Sequence, residues 1–135
     1  MTRVLFNAGW LQEGERYPIG PVPTQFIRLL IDLSEQPVMC FRGWHQCNFC
    51  PPPEWASRPP PRLLAPGEAG SVCRFEGREW KVFGNGEIRV AETTGVCWAA
   101  PQLVVHYVLS HGYAPPPGFV DAVMTGRAVD APHRP

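Results

Sequence analysis

The chain has 135 residues, 12 of them basic and 12 acidic, and is 44% apolar. That is enough for one domain with a real core, and it leaves no net charge to release counterions from nucleic acid. No apolar stretch approaches the roughly 20 residues of a membrane helix, and "MTRVLFNAGW" followed by "QEGER" does not have the pattern of a signal peptide.

The first candidate element is "TRVLF" (Thr2 to Phe6), a short strand. "GERYPIGPVP" is a loop. "PTQFIRLLIDLSEQP" (Pro23 to Pro37) reads as a helix: Pro23 suits a first turn, Phe26, Ile27, Leu30 and Leu33 share a face, and Pro37 stops it. "VMCF" (Val38 to Phe41) is a buried strand leading into "RGWHQCNFCPPPEW". Seven prolines between Pro51 and Pro66 exclude helix and central strand. Residues 51–70 are therefore an extended surface loop.

A β region follows. "SVCRF", "REWKVF" and "EIRVAET" are joined by "EG" and "GNG", both of which tolerate positive φ. The expectation is a three-stranded antiparallel meander from Ser71 to Thr93. "AAPQLVVHYVLSHG" (Ala99 to Gly112) is the second strong helix, with Pro101 in its first turn and Gly112 as its C-terminal cap. Leu103, Val104, Tyr107, Val108 and His111 form its apolar face, and Gln102, His106 and Ser110 a polar strip on the other side. Gly118 to Thr125 makes a short last helix, and residues 127–135 a frayed tail.

The chemistry is concentrated in His45, Cys47 and Cys50. Five cysteines, an odd number, in a chain read as soluble and cytoplasmic argue against a disulfide framework. Thiolate and imidazole are the donors Zn²⁺ prefers. Cys-x-x-Cys lets two sulfurs converge on one ion, and His45, two residues before Cys47, points the same way in an extended segment. A redox dithiol is the competing use, but no βαβ context surrounds the pair; plain core packing is the other.

The fourth ligand is open among His106, His111, Cys97, Cys73 and Cys40. His106 is preferred, because it interrupts an apolar helix and a buried imidazole needs a partner. His111 is the alternative, although a His near a helix C-terminus can instead bond the last carbonyls. An open Cys2His site would serve a hydrolytic enzyme and would need a base. Glu87 and Glu54 are the candidates, with Arg42 available for an anion or a thiolate. Glu87 and Arg89 also read simply as the exposed face of a strand. Zinc deaminases pair His-x-Glu with Pro-Cys-x-x-Cys; here residue 47 is Cys and residue 46 is Gln, so that assignment fails. "SRPPPRLLAP" resembles a polyproline ligand of aromatic grooves.

"RGWHQCNFC", "GNGEIRV" and "AAPQLVVHYVLSHGYAPPPGFVDAV" together resemble a family of small, uncharacterised bacterial proteins. The resemblance spans Phe41 to Val123 and implies no reaction. It implies that His45, Cys47, Cys50, Glu87, Arg89, His106 and His111 belong to one shared element.

The reading is an α+β fold: a small antiparallel meander packed with two main helices and a zinc knuckle, in a single zinc-binding domain over residues 1–126. Its expected function is that of a small accessory or protein-interaction module with structural Zn²⁺, the alternative being a small zinc hydrolase. The partner is a protein or a small molecule, with nucleic acid and membrane disfavoured.

Overall fold

The computed structural model describes residues 5–11, 16–38, 47, 49–50, 71–82, 84 and 86–128. The elements run β1 (Leu5–Asn7), α1 (Thr24–Ser34), β2 (Ser71–Phe75), β3 (Arg78–Val82), β4 (Glu87–Ala91), β5 (Cys97–Pro101), α2 (Val104–His111), α3 (Pro117–Thr125) and β6 (Arg127–Ala128). The class is α+β. Expectations about Cys40, Arg42, His45, Glu54 and the proline segment 51–70 fall outside the described residues.

The strands form two sheets. One has the order β1-β5-β4-β6; the other is the β2-β3 hairpin. β1 runs parallel to β5, whereas β4 is antiparallel to both β5 and β6. The pairing Ile88↔Ala100 and Val90↔Trp98 puts these four side chains on one face of the sheet. That face meets α3, where Phe119 packs edge-on against both Trp98 and Phe26 of α1. Phe26, Leu30 and Phe119 are fully buried. The inward stripe of α1 is Phe26, Leu30 and Ile31, with Ile27 and Leu33 only partly buried beside it.

Three expectations are corrected. The meander is not one sheet: β2 and β3 pair only with each other among the described residues, and β4 pairs with β5. "GNG" is thus a crossing between sheets, where Gly86 O accepts from Gln102 N and Glu87 pairs with Val38 through two 2.8 Å backbone bonds. Second, the helix does not begin at Ala99, because Cys97–Pro101 is a strand. Alanine is the best helix former and proline suits a first helical turn, so local preference pointed to helix. Burial decides otherwise: Ala99 and Ala100 sit on opposite faces of a covered strand that tolerates only small side chains. Third, β6 lies in the segment expected to be a tail and pairs with Val90 and Ala91.

Glycine is required by geometry at the C-terminal ends of α2 and α3. Gly112 ends α2 in the left-handed region at φ +68°, a conformation a β-carbon disfavours. Gly126 joins α3 to β6 where a β-carbon would overlap the carbonyl oxygens of Ala91 and Ala122. Gly126→Ala is expected to cost about 1–3 kcal/mol, because backbone and not a flexible side chain must move. Gly20→Ala, whose nearest neighbour would be Ala114 Cβ at 3.7 Å, serves as the control. Paired thermal melts check this; equal Tm values for the two variants would contradict it.

Candidate metal centre

α2 is buried almost all round, with Val104, Val105, His106, Tyr107 and Val108 covered. Its polar strip is therefore covered at His106 and exposed only towards its end, at Ser110. His106, 2% exposed, faces β2. The Nδ1 of His106 lies 2.6 Å from the Val72 carbonyl oxygen, and Ser110 Oγ donates to the same oxygen at 3.4 Å. A carbonyl only accepts, so Nδ1 carries the proton and Nε2 keeps a lone pair. That Nε2 points at Cys50 Sγ, 3.2 Å away. Burial pushes the His106 pKa down; the bond to Val72 opposes this and the neighbouring His111 adds to it.

His111 is the last residue of α2. Its backbone carbonyl accepts from the Tyr17 hydroxyl at 3.4 Å. Residues 18–20 run beside 112–114, with Gly20 N donating to Gly112 O and Ala114 N to Pro18 O. The strap so formed holds the helix end in place. His111 Nε2 lies 3.2 Å from Cys47 Sγ and 3.4 Å from Cys50 Sγ. Burial lowers its pKa as well, so both imidazoles favour the neutral, ligating form.

The sulfurs come from the Cys47–Cys50 turn. The Phe49 backbone N–H donates to Cys47 Sγ at 3.4 Å. The Phe49 ring packs against Tyr17, Tyr107 and His111 at 5.0, 5.8 and 5.7 Å between centroids. An aromatic wall thereby fixes the turn against α2. Burial, with Cys47 close by, pushes the Cys50 thiol up to about 11. Burial also pushes the Tyr107 hydroxyl up to about 12, with Cys47 and Cys50 adding.

One ligand atom from each of Cys47, Cys50, His106 and His111 lies within 4.8 Å of the other three, so the group can hold a metal ion. In a tetrahedral zinc site, bonds of about 2.3 Å to sulfur and 2.0–2.1 Å to nitrogen place S and N about 3.5 Å apart. The sulfur–nitrogen distances of 3.2, 3.2 and 3.4 Å are close to that. Donor type, spacing and the fixed tautomer all fit.

The sequence offers His106 and His111 as alternatives, and the fold brings both to the sulfurs. Five residues is 140° around a helix, which puts the two on different faces. The reach of an imidazole at the helix terminus closes that gap, and periodicity carries no sign of it. The remaining candidates do not join. Cys73 is buried in β2, where its thiol points to Ser71 O at 4.0 Å and burial pushes it up to about 12. Cys97 lies in β5 with its thiol toward Gly95 O at 3.9 Å. Glu87 pairs with Arg89 at 3.0 Å, the two side chains being only 13% and 12% exposed. That face of β4 is covered, contrary to the exposed strand face expected.

Residues 1–124 match the sequence profile of a family described as Domain of unknown function (DUF7919), and the chain belongs to that family. No curated protein and no solved structure matches it. Among the described residues no helix is long and apolar enough to cross a membrane.

A thiol must lose its proton to ligate, so apparent metal affinity rises with pH below the thiol's own pKa. With the Cys50 thiol at about 11, that single proton raises affinity about tenfold per pH unit over roughly pH 7 to 9. Competition against a chromogenic chelator at several pH values measures the slope; an affinity flat in pH contradicts ligation by Cys50.

Proposed function

We propose that this protein is a small cytoplasmic zinc-binding module in which a structural ion ties the Cys47–Cys50 turn to α2, and that it acts as an accessory or protein-interaction protein. The observation that carries this reading is the convergence of four donor atoms from two separate segments within 4.8 Å. Two sulfurs and two imidazole nitrogens suit zinc, which needs soft-to-borderline donors in a tetrahedral shell and no redox chemistry. Four protein donors also close the shell, as in structural sites. In this reading the ligands are Cys47, Cys50, His106 and His111, and the set is complete without His45.

The "RGWHQCNFC" and "AAPQLVVHYVLSHG" segments are then read as one element of a bacterial family, built around the metal, with "GNGEIRV" supplying the strand β4 that pairs with β5. The Val72 carbonyl belongs to it as the acceptor that orients His106, the role that outer-shell acceptors play for metal-bound histidines. The even charge favours a protein or small-molecule partner over nucleic acid.

A zinc hydrolase with an open Cys2His site is the competing reading. It requires a carboxylate at the metal. Glu87 is engaged with Arg89 and is not among the clustered donors, which supports the closed, structural site.

Protein purified without chelator or added metal is expected to carry about one zinc per chain. Cys47→Ala and Cys50→Ala should each lose the metal. Free zinc at roughly one hundred times Kd stabilises by about 2.7 kcal/mol, a Tm difference of roughly 10 °C at this size. Elemental mass spectrometry with thermal melts tests both. Variants that keep their zinc and their Tm would remove the reading. Glu87→Gln should retain its zinc.

A further inference from the structure

Both sulfurs of the donor group belong to one Cys-x-x-Cys segment, here called the turn, and both imidazoles belong to one helix. Every bond an ion makes to sulfur here is a bond to the turn, and every bond to nitrogen is a bond to α2. A bond between the two sulfurs would therefore remove the turn's whole share of the shell in one event. It would leave two imidazoles, a poor site for an ion that takes four ligands.

We infer that Cys47 and Cys50 form a peroxide-sensitive release switch, which exchanges the link between turn and helix for a disulfide within the turn. This rests on the zinc reading above. Cys50 is the less buried of the pair, Cys47 being 8% exposed, so Cys50 meets the oxidant first. Its sulfur attacks one peroxide oxygen, the O–O bond breaks, and hydroxide leaves a sulfenic acid on Cys50. The Cys47 sulfur, within 4.8 Å, then attacks Cys50 Sγ and displaces a second hydroxide. Two electrons pass from the two sulfurs to the peroxide, two protons are taken up, two waters form, and the ion departs. The other described cysteines are protected: Cys73 and Cys97 are buried in separate strands, 0% and 5% exposed.

The change is confined to the turn. Phe49 lies between the two cysteines and packs against Tyr17, Tyr107 and His111, so reorganising the turn reaches the aromatic wall of α2 directly. A partner that recognises this surface would distinguish the two states.

The test uses the full chain. Zinc content is measured on the reduced protein first; hydrogen peroxide is then titrated in the presence of a chromogenic zinc chelator. Thiols are counted at each step, and peptides are mapped by mass spectrometry. The expected result is one zinc released for every two thiols lost, a Cys47–Cys50 disulfide peptide, and recovery of zinc binding after a thiol reductant and zinc are added. Zinc retained after oxidation, or released without that disulfide, overturns the switch while leaving the structural zinc standing. A reduced protein that binds no zinc overturns both.

Discussion

The hydrogen bond from His106 Nδ1 to the Val72 carbonyl, 2.6 Å long, constrains much of this molecule. It satisfies one side of an imidazole that is 2% exposed, and it turns the other side toward Cys50. It also joins two elements that share no strand pairing: α2 and the β2-β3 hairpin. Burying an unpaired imidazole in this core would cost several kcal/mol. With Val72 on one nitrogen and the sulfur group on the other, the residue is satisfied at both ends. The candidate metal site and the packing of the hairpin are thus one arrangement.

The same logic runs along the polar residues in and just before α2. Gln102 donates to the Ser34 carbonyl at the end of α1 at 2.7 Å, His106 donates to β2, and Ser110 adds a second bond to Val72. Gln102 thus ties the start of the helix to α1, while His106 and Ser110 tie its body to β2, so α2 can be covered on nearly every side with its buried imidazole partnered. Among the described residues, Gln102 Oε1 is the one buried side-chain atom without a partner. The strap of residues 17–20 completes the frame by fixing the helix end that carries His111.

What was legible in the sequence follows from whether local chemistry and tertiary burial agree. α1 and α3 were legible because proline starts and periodic apolar residues coincide with packing. The hairpin β2-β3 was legible from "EG". The strand β5 was not, since Ala-Ala-Pro favours a helix locally and only the covered sheet makes small residues necessary there. The cysteine pair was conspicuous by spacing. The pairing of His106 with His111 was not, because it depends on where the helix stops and on what docks against its end, and both are long-range facts. The reading of Glu87 and Arg89 as a solvated face failed for a similar reason: alternation along a strand does not say whether the second face is covered.

X-ray absorption on the zinc form reads the ligand shell itself. A closed site gives two sulfurs at about 2.3 Å and two imidazole nitrogens at about 2.0–2.1 Å, with no oxygen. A shell with an oxygen in the fourth position would contradict the closed site that joins the Cys47–Cys50 turn to α2, and would point to an open metal centre.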